Sequence, residues 1–145
     1  MLKELGSGLV GALALTAVHE TAKRTIPHAP RMDVIGRRGI AKPLYAMGVE
    51  PPHGDKLQAA ALTGDILSNS LFYSLVALGD ERNVVKRGLI LGLLAGLGAA
   101  LLPPVMGLGR QPGHRGLPTH LMTIAWYTIG GVVAAATLKA LRRVD

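Results

Sequence analysis

Four long apolar blocks, with the charged residues gathered at their ends, set the limits on what this chain can fold into. Residues 5–22 carry no charge before Glu20, and residues 57–79 hold only Asp65. A third block begins at Val84 and runs uncharged from Gly88 through Leu108, interrupted by Pro103-Pro104, while residues 117–138 have no charge at all. A bilayer-crossing helix needs about 17 to 25 mostly apolar residues. All four blocks reach that length, so the pattern predicts an all-α polytopic membrane protein. It would be a single domain with four transmembrane helices over 5–22, 57–79, 84–102 and 117–138. Proline lacks the amide hydrogen that a helix interior uses, so the third helix is expected to stop or kink near Leu102. Lys86 and Arg87 would reach back to the headgroups along their aliphatic stems.

A soluble bundle would give each helix a polar face, and the third block has none. Composition agrees with lipid surroundings: 49% of the 145 residues are hydrophobic, with mean hydropathy +0.34. Nineteen glycines and nine prolines are many for a soluble helical bundle, but both residues are commoner in membrane helices. The absence of cysteine excludes disulfides, thiolate-held zinc, iron–sulfur clusters and thiol catalysis. A net charge of +7 raises nucleic acid as a partner. The basic residues sit beside span ends and form no stripe, however, and five aromatic residues offer little for bases to stack on, so no nucleic acid is expected. A cleaved leader is not expected either, because the apolar run before Ala12-Leu13-Ala14 is short.

Four crossings would put both termini on one side, called side A, and residues 23–56 and 103–116 on the other, side B. The sixteen Lys and Arg residues then divide almost evenly, so positive-inside bias fixes no orientation, and insertion in both senses as an antiparallel pair is one consequence. Residues 30–47 place Met32, Ile35, Ile40, Leu44 and Met47 near helical spacing among Arg31, Arg37, Arg38 and Lys42. They read as a basic interfacial helix with a preference for anionic membrane lipid, the plainer alternative being a solvated basic loop. His28 and Asp33 stand at a spacing also used by lipid acyltransferases, but so short a pattern in a long connector arises by chance.

Gly88, Gly92, Gly96 and Ala100 recur every four residues and give the third helix a flat groove of the extended GxxxG kind. Such a groove serves packing inside one bundle or a seam to a homo-oligomer or larger membrane complex. Ionisable groups inside a bilayer are costly and point to function. Asp65, Asn69 and Tyr73 stand at i, i+4 and i+8 on the second span, with Asp65 about 12 Å from side B at 1.5 Å per residue. His19 and Glu20 fall at a similar depth on the first span, and His120 lies one turn into the fourth. Glu20 can pair with Lys23 or Arg24 on its own helix, but Asp65 has no cation on its helix, so His19, Arg24 or His120 is expected across the bundle.

All five histidines fall in or on side B. Metal or haem held by His19 and His120 with Glu20 or Asp65 lacks the helical spacing of known sites, so no cofactor is assigned. No catalytic constellation stands out, and an enzyme is not the favoured reading. The leading expectation is a small membrane protein, bacterial inner-membrane in type, that binds or moves a small polar ligand, proton or ion. The alternative is an accessory or assembly subunit that docks on a larger complex through its glycine-rich helix.

Overall fold

In the computed structural model, which describes residues 1–144, the apolar blocks are helical and their ends are set by glycine more than by proline. Five helices form, with no strand among the described residues: α1 (Leu2–Thr25), α2 (Met32–Ala46), α3 (Gly54–Ser74), α4 (Val84–Val105) and α5 (Leu117–Arg142). Two short 3-10 turns, Leu75–Ala77 and Glu81–Asn83, carry the chain from α3 to α4. The stop expected near Leu102 is corrected, since α4 runs through both prolines to Val105. They occupy its last turn, so their missing amides leave only the Ala99 and Ala100 carbonyls without ladder donors, and little helix follows that could be broken. The actual stop is Gly107 at φ 73°, with Leu108 N donating to the Pro103 carbonyl at 2.8 Å and Gly107 N to that of Pro104 at 3.1 Å. This paired arrangement around a left-handed glycine is a Schellman end. α2 ends the same way, with Gly48 at φ 73° and Val49 N bonded to the Leu44 carbonyl at 2.9 Å.

The helices do not close into a symmetric bundle. α5 packs between α4 and α1, and α1 between α5 and α3, whereas α3 and α4 touch little along their lengths. The turn Leu75–Ala77 plugs one end of this curved row by touching α1, α4 and α5, and α2 lies against α3. Small residues set the close approaches. A Cβ on Gly88 would lie 2.5 Å from the Gly131 carbonyl oxygen, one on Gly92 2.6 Å from Thr128 Cα, and one on Gly96 2.6 Å from Ile124 Cα. The glycine groove of α4 is therefore filled by α5 within the same chain. Gly130 and Gly131 face opposite neighbours, for a Cβ on Gly11 of α1 would lie 2.6 Å from the Gly130 oxygen. Tyr73, Leu15, Val76 and Leu138 are fully buried between these helices.

Two helical stretches are long and apolar enough to cross a membrane: Glu81–Val105, which takes in α4, and Leu117–Arg142, which is α5. The expectation of four such helices is corrected. α1 is long enough, but His19, Glu20 and its glycines dilute its apolar run, and α3 carries Gln58, Asp65, Ser68, Asn69 and Ser70. The expected helix at 30–47 is present as α2, but its basic side chains turn towards protein. Arg38 donates to the carbonyls of Leu108 at 3.0 Å and Arg110 at 2.8 Å, and Lys42 to that of Gly107 at 2.7 Å. Arg31 N donates to Gln111 Oε1. Four bonds thus fasten α2 to the loop that joins α4 and α5.

Candidate functional site

α1 and α3 run antiparallel, and they start tightly: a Cβ on Gly8 would strike the Ser70 carbonyl and approach Ser74 N to 2.8 Å. Nearer α2 the two helices enclose a cleft. From α1 it is lined by Thr16, His19, Glu20 and Lys23, and from α3 by Gln58, Ala61, Leu62 and Asp65. Both sets follow i, i+3, i+4, i+7 spacing, which puts each on one helical face. Met32, Asp33 and Gly36 of α2 close the side. The interior measures about 40 Å³, room for about three waters at roughly 10–15 Å³ each.

The open end of this cleft is a charge network. Asp33 is gripped by the Arg31 guanidinium, with Nε at 2.9 Å and Nη2 at 2.8 Å, and Lys23 and Arg37 stand at 3.9 and 4.0 Å. The Arg31 fork holds the Asp33 carboxyl below the usual carboxylate range, overriding burial, and the charges of Lys23 and Arg37 act in the same direction. Lys23 also donates to Glu20 at 2.8 Å, while Arg24 stands 3.7 Å from Glu20 and points mostly into the surroundings. Glu20 is therefore held within its own helix end, as its spacing to Lys23 and Arg24 allowed.

Deeper in the cleft, polar atoms lack partners. Thr16 Oγ1 and His19 Nε2 are both buried and make no hydrogen bond among the described residues. The His19 ring packs edge-on against Tyr127, centroids 5.6 Å apart. Asp65 lines the same cleft, but its hydrogen-bond partner is not the cation expected across the bundle. Asn69, one turn along α3, donates to Asp65 Oδ1 at 3.0 Å and to its carbonyl at 2.9 Å. A side-chain amide at i+4 reaches an aspartate on its own helix, so this bond forms without a second helix coming close. Tyr73 has left the cleft for the core, where its hydroxyl donates to the Tyr127 carbonyl at 2.7 Å.

The convergence expected of His19, Glu20, Asp65 and His120 is thus partial. The first three share one cleft, with Asn69 beside Asp65. His120 lies in a second cleft between α2, α4, α5 and the loop before α5, its ring 4.8 Å from that of His114. Burial, then His120 and Arg110, hold His114 below the usual imidazole value. No three His, Cys, Asp or Glu residues among those described are grouped as a metal would need. Thr16 was not singled out from the sequence, Lys23 was named only as a partner for Glu20, and Asp33 only for its spacing to His28. The spacing of Thr16, His19, Glu20 and Lys23 was the signal that could have found the first two. No protein-family model, curated protein or solved structure matches the chain.

Proposed function

We propose that the chain is a small integral membrane protein, bacterial inner-membrane in type, that binds a small ion in the α1–α3 cleft and passes protons or small cations through it. The observation that carries this reading is the pair of buried, unpartnered atoms, Thr16 Oγ1 and His19 Nε2, in a water-sized cavity that also holds the Asp65 carboxylate. Buried polar groups without partners are costly, and a water chain or a small ion would satisfy them. A cavity of this size suits a proton or a small cation better than an organic substrate.

Surface chemistry supports a membrane location. Of the most apolar 18 residues of the α4 stretch only 22% are buried, whereas a core helix of a soluble protein would turn most of them inward. Leu89, Leu93, Leu94 and Leu97 of α4 are exposed, as are Leu9 and Leu13 of α1 and Leu67 and Leu71 of α3. With α4 and α5 crossing, the exposed leucines of α1, which packs on α5, and of α3, which packs on α1, offer further apolar surface to acyl chains. Docking of a larger complex through the α4 glycines has lost its surface, because α5 fills it.

The test is proton flux into liposomes carrying the purified chain and an internal pH-sensitive dye, driven by a potassium diffusion potential. Wild-type chain should acidify the lumen faster than protein-free vesicles, and Asp65→Asn should lower the rate at least tenfold while the helical signal is kept. His19→Gln should also slow it. Flux in the folded wild-type chain no greater than in empty vesicles, or undiminished in Asp65→Asn, would refute the reading.

A further inference from the structure

The second cleft differs from the first in size and in chemistry. It measures about 220 Å³ against 40 Å³, and no carboxylate lines it. Arg110, His114 and His120 are its ionisable groups. The Arg110 side chain has no hydrogen-bond or ion-pair partner among the described residues, and the only partner of each imidazole is the other ring. Three nitrogen-bearing side chains without an acceptor of their own therefore border one space. The opposite wall is apolar, with Ala100, Pro103 and Pro104 of α4 among its residues, and it continues onto the exposed Leu101 and Leu102. Such a cleft is basic at one end and oily at the other.

Its height in the fold matters as well. The cleft lies where α4 ends and α5 begins, so if those two helices cross the bilayer it stands at headgroup level on side B. We propose that this cleft seats the phosphate of an anionic glycerophospholipid, with Arg110, His114 and His120 around the phosphate and the acyl chains along the leucines of α4. Guanidinium binds phosphate through paired hydrogen bonds, and imidazole donates to the remaining oxygens. Basic pockets between membrane helices are suited to anionic headgroups. A metal ion is the poorer occupant, because Arg110 brings a fixed positive charge to a pair of histidines with no carboxylate beside them. The proposal rests on the membrane location argued above but not on ion passage through the first cleft.

The test uses the full chain purified in a neutral detergent, with native mass spectrometry and thermal unfolding in the presence of phosphatidylglycerol or phosphatidylcholine. Phosphatidylglycerol should bind at least tenfold more tightly and should remain bound at a stoichiometry of one per chain. Arg110→Gln and His114→Gln should each weaken it several-fold, and together at least tenfold. Arg82→Gln, at the opposite end of the molecule, removes the same charge and should leave affinity within twofold. Equal binding of the two lipids, an equal loss in Arg82→Gln, or displacement by millimolar inorganic phosphate would overturn the proposal. The last result would indicate a free anion as the occupant. Membrane location is read separately by alkaline extraction of native membranes: release of the chain would fail that reading, whereas retention with no lipid preference would fail this one alone.

Discussion

The seam between α4 and α5 and the seam between α1 and α3 begin with the same device and end differently. In the first, Gly88, Gly92 and Gly96 meet the α5 backbone at Gly131, Thr128 and Ile124 over three successive turns. In the second, Gly8 meets Ser70 just as closely, but two turns later Thr16, His19 and Asp65 replace small residues and α2 enters beside them. Repeating a small residue every turn keeps two helices in contact along their length. Stopping the repeat after one turn lets them part and leaves a polar hollow.

The largest effect should come from breaking the closed seam. Gly92→Leu must displace Thr128, so unfolding in mixed detergent should lose about 3 kcal/mol or more. Gly64→Leu, where an added Cβ meets nothing within 4 Å, should stay within about 0.5 kcal/mol. A similar loss at both positions would show that the close approach at Gly92 is not what holds the closed seam. Next comes the open seam's charge network. Asp33→Asn gives up the Arg31 fork and should cost about 2 kcal/mol. Hydrogen exchange should locate the loss in α2, with α4 and α5 still protected.

The same carboxyl predicts a pH dependence. Its folded value is depressed, so its contribution is present above the ordinary carboxylate value of about 3.9 and is lost as pH falls through the lower folded value. Faster exchange in α2 below about pH 4, absent in Asp33→Asn, is the expected record. Tyr73→Phe removes one bond to the Tyr127 carbonyl and should cost about 1 kcal/mol in thermal unfolding. The smallest change should be a gain: Gly64→Ala replaces a helical glycine in open space and should stabilise by about 0.5 kcal/mol.

Helix number and approximate bounds were legible because apolar runs bounded by charges leave few other ways to fold. Gly88, Gly92 and Gly96 announced a close approach, but spacing within one helix does not name the partner, and α5 became visible as that partner only in three dimensions. Pro103-Pro104 misled because proline's cost depends on its position along a helix, and the left-handed glycine at 107 was the better marker of the end. His19, Glu20 and Asp65 were found from the cost of placing ionisable groups in an apolar run. His120 was drawn into the same group by matching depths, and depth does not fix which side of a helix a residue faces. Asp33 was set aside because its spacing to His28 suggested nothing firm, and its role follows from Arg31, two residues away, folding back onto it.

Met32 borders both hollows, the carboxylate-bearing one and the imidazole-bearing one. The partition between two chambers of opposite character is there an unbranched thioether with three rotatable bonds. A substitution at that one position therefore reaches both chambers at once, and the two cannot be altered there independently of each other.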